Sequence, residues 1–247
     1  MSTFYVVATP IGNMEDITLR ALRVLGSVDV VLCEDTRVTK KLFVRHNVAT
    51  GGEGQPRVLS YHAHSKISRV NDIIALLKEG KNIALVSDAG TPGISDPGAE
   101  LVSIIRREMV NELADGLLKI ESVPGASALT GALSIAGVPC ADFVFLGFLP
   151  HKKGRETLFK EIAASERTCI FYESPHRIMK TLESLVEHIS NNESAEAGAD
   201  INKKRVTVCR ELTKIFEEVV SGSPAEVLAY FTTHTDKVRG EFVVIVS

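Results

Sequence analysis

The chain has 247 residues, 45% hydrophobic and 24% charged, with a formal net charge of −3 and a sequence pI of about 6.2. That length holds one large or two ordinary domains around a sizeable core. The slightly acidic balance argues against a protein that coats long nucleic acid through a general basic excess, and no apolar run is long enough to span a bilayer.

The opening MSTFYVVATP is a short apolar run with no basic flank. It predicts a first strand over Phe4–Ala8, not a signal peptide. Further strands are expected at Asp29–Cys33, Val58–Tyr61, Ile83–Ser87 and Lys119–Val123, with helices at Ile17–Leu25, Ser68–Glu79 and Ala99–Met109. Apolar residues at Val70, Ile73, Ile74 and Leu77 recur at helical spacing. Strands alternating with helices predict an α/β unit with a mostly parallel sheet. The second half is expected to carry strands at Phe143–Gly147, Thr168–Tyr172, Val206–Cys209, Glu217–Val220 and Phe242–Val246. Its helices fall at Ser127–Ala136, Arg155–Ala164, Ile178–Ile189 and Ala225–Phe231, and some antiparallel pairing is expected near the C-terminus. A turn at Val123-Pro124-Gly125 places the domain boundary there, giving 1–122 and 123–247. Ala49–Pro56 and Asn191–Lys204 read as loops, the second polar and mobile.

Cys33, Cys140, Cys169 and Cys209 are far apart, and three lie in apolar runs. They read as reduced thiols in a reducing cytosol, not as a zinc or disulfide framework. Three basic clusters, Arg37/Lys40/Lys41/Arg45, His151/Lys152/Lys153/Arg155 and Lys203/Lys204/Arg205, each read as solvated faces when taken singly.

The strongest local signal is Ser87–Gly98, SDAGTPGISDPG, between a strand and a helix. Its glycines and prolines bend the backbone so that a ligand can approach closely, at the strand end where open α/β sheets bind ligands. Asp96 alone reads better as a helix N-cap, with Pro97 at the first helical position. Neither the Walker A loop nor the dinucleotide fingerprint is present, so ATP and NAD are unsupported. Thr9–Asn13 and Pro124–Ala128 are further strand-end turns. Cys33-Glu34-Asp35-Thr36-Arg37 ends a strand with three charges in four residues. Salt-bridged charges are the plain explanation; a site is favoured because these groups share an edge with the glycine loop. Tyr172–Arg177 and Arg210–Lys214 leave Glu173, His176, Arg177 and Arg210 unexplained by folding. His62 and His64 lack a supporting cluster for a metal, so no metal is expected.

Eight motifs stand in order: ATPIGN, CEDTR, SDAGTPGISDPG, VPGASA, FLGFLP, YESPHR, RELTK and GEFVVIV. Together they resemble the small-subunit ribosomal RNA (cytidine-2′-O)-methyltransferases of the tetrapyrrole methylase-like class, from about Val6 to Val246. The resemblance implies two α/β domains with S-adenosylmethionine in the cleft between them, a homodimer, and a cytoplasmic enzyme acting on ribosomal RNA. It maps cofactor contacts onto Pro10, Asp88, Ala89, Gly90, Ile94, Ser95, Ala126, Ser127, Leu149 and Pro150. Candidate catalytic residues are Glu34, Asp35, His62, Glu173 and His176 for proton transfer, and Arg37 and Arg177, with Arg210, for phosphates. The sequence departs from the pattern in a longer Arg106–Ile120 passage, in insertion-like stretches at Ala49–Pro56 and Asn191–Lys204, in Ala63 and Ser65 beside His62, and in ending at Ser247 where many relatives carry a helical tail. A small-molecule methylase of the same class and a non-catalytic ligand- or RNA-binding regulator are the rival readings.

Overall fold

The computed structural model describes residues 1–62, 67–195 and 204–247, the last five residues before 196 by backbone alone. Ala63, His64 and Ser65 therefore lie outside the described residues, as does 196–203 of the expected polar loop. The chain divides into two compact units, Met1–Ser127 and Ala128–Ser247.

Unit 1 holds strands β1 (Ser2–Val7), β2 (Val30–Cys33), β3 (Arg57–Ser60), β4 (Ile83–Leu85) and β5 (Leu118–Val123). They form one sheet in the order β3-β2-β4-β1-β5, every pair parallel. Its helices are α1 (Leu19–Ser27), α2 (Thr36–Arg45), α3 (Ile67–Lys78), α4 (Gly98–Glu108) and α5 (Val110–Ala114). Phe4, Leu32, Ile83 and Leu85 pack against Ile73, Leu77, Leu101 and Ile105 from α3 and α4. The alternate strand residues Val7, Val31 and Ala84 pack against Ala21, Leu25 and Phe43 from α1 and α2. Both faces are thus covered, which explains the near-continuous apolar strands. The connections leaving β1 and β4 cover opposite faces. These neighbouring strands form the topological switch point where open α/β sheets bind ligands.

All five strands and three helices expected in this half are present within two residues. α2 and α5 are additional. α2 replaces what the sequence suggested was only a charged strand end: Asp35 caps it, accepting from the Arg37 N–H, and Thr39, Leu42 and Phe43 supply its buried face. The Arg106–Ile120 passage is the end of α4, the short α5 and the start of β5.

Unit 2 begins with α6 (Ala128–Ala136), followed by β6 (Phe143–Phe148), α7 (Arg155–Ala164), β7 (Thr168–Glu173), α8 (Ile178–Ala195), β8 (Val206–Arg210), β9 (Glu218–Gly222), α9 (Pro224–Thr233) and β10 (Phe242–Val246). The sheet order is β6-β7-β10-β8-β9. β6 and β7 are parallel; β10 runs antiparallel to both β7 and β8, and β9 antiparallel to β8. The antiparallel pairing expected near the C-terminus is present, but β10 lies between β7 and β8, not beside β9. That central place explains FVVIV, buried at every position. α7, α8 and α9 cover one face through Phe159, Leu182, Leu185, Val227 and Phe231. α8 runs six residues past its expected end, so 191–195 is helix, not loop. Cys33, Cys169 and Cys209 are buried and Cys140 is exposed, all four as free thiols.

Candidate functional site

Because all five strands of unit 1 are parallel, their carboxyl ends share one edge, and the four motif loops after β1, β2, β4 and β5 emerge there. Side chains and backbone tie them together. Thr9 and Gly90 exchange backbone hydrogen bonds in an isolated bridge, Thr9 N to Gly90 O at 2.9 Å and Gly90 N to Thr9 O at 3.1 Å. The buried Thr9 hydroxyl donates to Ser87 O at 3.0 Å, and the Ser87 hydroxyl donates to Gly90 O at 2.9 Å. Thr91 Oγ1 donates to Ala126 O at 3.1 Å, joining the turn after β5. Gly90 has φ +85°, and a Cβ there would sit 3.2 Å from Ile11 Cγ2 and 3.6 Å from Ala126 O. Only glycine suits that conformation and that close approach. Ser95 also lies in the left-handed region at φ +66°, a strained position for a residue with a side chain.

Asp96 acts one position further out than the sequence suggested. Pro97 is the N-cap of α4 and Gly98 its first residue. The Asp96 carboxylate accepts from Gly93 N at 2.8 Å and Gly98 N at 2.7 Å, which closes the loop on itself.

Glu34, Asp35 and Asp88 meet at the ends of β2 and β4. Asp35 N–H donates to Asp88 Oδ1 at 3.0 Å, and the Asp88 N–H donates to the Glu34 carboxylate. Desolvation, then the neighbouring Asp88 and Asp96 charges, raise the Glu34 carboxyl above its ordinary value. Asp35 is the opposite case. Its hydrogen bonds from Arg37, with Nε at 3.0 Å and Nη2 at 2.6 Å, hold it down at about 2. Two adjacent carboxylates are thereby set for different work: Asp35 is a permanent anion and helix cap, whereas Glu34 holds a proton more readily. Pro10 is buried, Ala126 and Ser127 are half-buried, and Asp88, Ala89, Ile94 and Ser95 are exposed. Arg37 is exposed, and so is His62, just beyond β3.

In unit 2, Glu173 ends β7 fully buried and takes donors on both oxygens. Oε1 accepts from Arg177 Nε at 2.7 Å and Ser174 N at 2.8 Å; Oε2 accepts from Thr181 Oγ1 at 2.6 Å and pairs with Arg155 Nη2 at 3.7 Å. The two guanidiniums then reach the turn after β6: Arg177 Nη1 donates to Leu149 O at 2.8 Å and Arg155 Nη1 to Pro150 O at 3.1 Å. Glu173 and Arg177 therefore brace the Leu149–Pro150 turn. With both oxygens engaged by donors, Glu173 is poorly placed to accept a substrate proton, and the Arg177 side chain, only 15% exposed, has little reach to a phosphate. Arg210 is likewise buried, donating to Arg239 O and Phe216 O at 3.0 Å each. His176 is exposed. Arg155 and Thr181 complete the network, a role not expected of either. Arg155 read as one of a surface cluster, and Thr181 lies eight residues past Glu173, in the first turn of α8.

Two outcomes follow. Glu173→Ala strips two largely buried guanidiniums of their counter-charge and should cost about 3–5 kcal/mol in denaturant unfolding of the full chain. A cost below about 1 kcal/mol would show that the network is not the brace. Glu34→Gln keeps an acceptor for the Asp88 N–H and removes a crowded charge. A carboxyl raised in the folded state loses stability as pH climbs past its unfolded value. The variant should therefore melt higher than wild type at neutral pH, the gain fading below pH 4; equal melting temperatures at both pH values would refute the crowding.

The model of the family described as Tetrapyrrole (Corrin/Porphyrin) Methylases matches residues 3–228. A protein of Halalkalibacterium halodurans named ribosomal RNA small subunit methyltransferase I is 42% identical over 245 residues, covering 99% of this chain and 75% of the relative. Proteins of the same name from Thermotoga maritima and Escherichia coli O157:H7 are 38% and 40% identical, covering 99% and 76% of those relatives and 100% and 98% of this chain. Among solved structures, uroporphyrin-III-C-methyltransferase from Thermus thermophilus superposes with TM-score 0.60 at 19% identity, covering 99% of this chain and 94% of that one. A cobalt precorrin-4 methyltransferase gives 0.58 at 19%, covering 100% and 94%; both likenesses speak for the fold alone. With nearly its whole length matched, the chain belongs to the tetrapyrrole (corrin/porphyrin) methylase family, methyltransferases that use S-adenosylmethionine.

Proposed function

We propose that the chain transfers a methyl group from S-adenosylmethionine to the 2′-hydroxyl of a cytidine ribose in small-subunit ribosomal RNA. The observation that carries this is relatedness along the full chain, at about 40% identity, to proteins named for that RNA. The tetrapyrrole-acting enzymes share the fold at under 20% identity, which gives no ground for a ring substrate. We further propose that the enzyme is a cytoplasmic homodimer. Among the described residues no helix is long and apolar enough to cross a membrane.

The residues of unit 1 suit the cofactor. The close approach at Gly90 and the exposed backbone of Ala89, Ile94 and Ser95 offer peptide groups to a ligand. Glu34, Asp88 and Asp96 give the edge a negative field that favours a cationic donor. When bound, S-adenosylmethionine supplies an electrophilic methyl group. Pro10, Asp88, Ala89, Gly90, Ile94, Ser95, Ala126 and Ser127 would hold it in unit 1.

The chain's own task is then to position the ribose hydroxyl and to take up its proton. A general base works best when its pKa lies near the working pH. By that measure Glu34, raised by burial and its acidic neighbours, is better suited than Asp35, held at about 2 by Arg37. Glu173 is already engaged by its cations. His62 and His176 are exposed alternatives just beyond β3 and β7. Holding the acceptor in line supplies much of the rate in any case.

The decisive experiment is transfer of a labelled methyl group from S-adenosylmethionine to small ribosomal subunits, followed by nucleoside analysis. Label in 2′-O-methylcytidine is expected; label in another nucleoside, or in a porphyrin-type ring alone, would overturn the assignment. Gly90→Val should abolish cofactor binding by calorimetry while the far-ultraviolet circular dichroism stays that of the folded chain. Normal binding in that variant would remove the site from this loop. Glu34→Gln should lower kcat by about 10²–10⁴-fold with cofactor affinity retained, and an unchanged kcat would pass the role to His62 or His176.

A further inference from the structure

α2 carries Arg37, Lys40, Lys41, Val44 and Arg45, spaced i, i+3, i+4, i+7 and i+8, so they share one helix face. All five are exposed, Arg37 with 87% of its side chain free and Val44 at 79%. The opposite face buries Thr39, Leu42 and Phe43. The helix contains no acidic residue.

Folding does not account for this pattern. Like charges three and four apart repel, by about 0.2–0.5 kcal/mol per pair. The amino-terminal end of a helix disfavours cations, yet Arg37 is the second residue of α2; Lys40 and Lys41 stand mid-helix, where the dipole favours neither sign. Arg37 is answered by the cap residue Asp35, whereas Lys40, Lys41 and Arg45 form no ion pair among the described residues. Arg45 alone has a local reason, since the last turn favours a cation. The concentration of charge also runs against a chain whose net charge is −3.

The helix is fixed at both ends. Asp35 ties its start to Asp88 of the glycine loop, and His46 Nε2 lies 3.0 Å from Met14 O just past its end. Its cations therefore stand beside the carboxyl edge in a set place, along a helix about 15 Å long.

We propose that this face of α2 docks the sugar-phosphate backbone of the RNA substrate, with Lys40 and Lys41 contacting phosphates. The inference rests on the RNA reading above and adds the element that meets the polyanion. Neutralising phosphates releases counterions, so each contact steepens the salt dependence of binding by about 0.7 for single-stranded RNA. Relief of the repulsion within α2 favours the bound state further.

The test compares the full chain with Lys40→Gln/Lys41→Gln, using a fluorescein-labelled single-stranded RNA oligonucleotide over a salt series. The variant should bind about tenfold more weakly at low salt, and the slope of log K against log[salt] should flatten by about 1.4. Affinity for S-adenosylmethionine should match wild type, and the melting temperature should equal or slightly exceed it as the repulsion within α2 is relieved. An unchanged slope overturns the proposal, as does a loss confined to anionic phospholipid vesicles run in parallel. Methyl transfer to small subunits by the wild-type chain reports separately on the RNA-methylation reading. If wild type methylates RNA and the variant keeps its slope, α2 alone is refuted. If the variant's slope flattens but wild type methylates no RNA, docking stands and the proposed reaction fails.

Discussion

A parallel sheet sends every strand's carboxyl end to the same edge, and the rest of unit 1 follows from that constraint. Beyond the last ladder hydrogen bond the chain still carries peptide groups that need partners. The loops supply them to one another. Thr9 and Gly90 pair backbone to backbone, Asp88 accepts from Asp35, and Thr91 donates to Ala126. Each tie crosses from one strand end to another, so the edge behaves as one connected surface. Gly90 is required at its centre because the β1 and β5 turns close to within 3.2–3.6 Å of where its side chain would be. Positioning for a ligand and satisfaction of the backbone are here the same set of bonds.

Unit 2 meets a related need with charge. Its sheet is mixed, so only β6 and β7 end side by side in the same direction. The turn leaving β6 is held by two guanidiniums anchored on the buried Glu173. Burying a carboxylate is costly unless it is paired and hydrogen-bonded. Glu173 meets both conditions, with Arg177, Arg155, Thr181 and Ser174 around it. A hydrophobic contact would bury more area without fixing the Leu149 and Pro150 carbonyls in direction. The charge network gives the turn orientation as well as stability.

The strands were legible in the sequence because each is a short apolar run bounded by turn residues, and burial on both faces makes such runs continuous. FVVIV is the clearest case. α2 was hidden because its buried face has only Thr39, Leu42 and Phe43, while its cations dominate composition. The Asp-Thr pair that caps it looked like the tail of a charged strand end. The motif residues themselves were visible, yet their occupations were not. Glu34 and Asp35 are neighbours of the same chemistry. Only the direction of the Arg37 side chain and the nearness of Asp88 and Asp96 separate them, and both depend on contacts between elements far apart in sequence. Glu173 and Arg177 stood out as charges without a folding purpose. Their purpose became visible only when Arg155 and Thr181 closed around them.

Two features remain that work against folding, and they lie in adjacent elements. Glu34 is a partly buried carboxyl crowded by two more. α2 carries like charges three and four apart on one face, with Arg37 in the first turn that disfavours a cation. Left as they are, the first raises a proton affinity and the second stores repulsion. Both would be relieved by ligands of the opposite sign, as the proposed placements have it: a cationic methyl donor beside the acids, a polyanionic backbone along the helix. Asp35 stands between the two, accepting from Arg37 on one side and donating its N–H to Asp88 on the other. That residue joins the acidic edge to the basic helix face, its own charge met by Arg37. A site that brings together a cationic donor and an anionic acceptor strand needs this separation of sign over a short distance, and a sheet edge next to the start of a helix provides it.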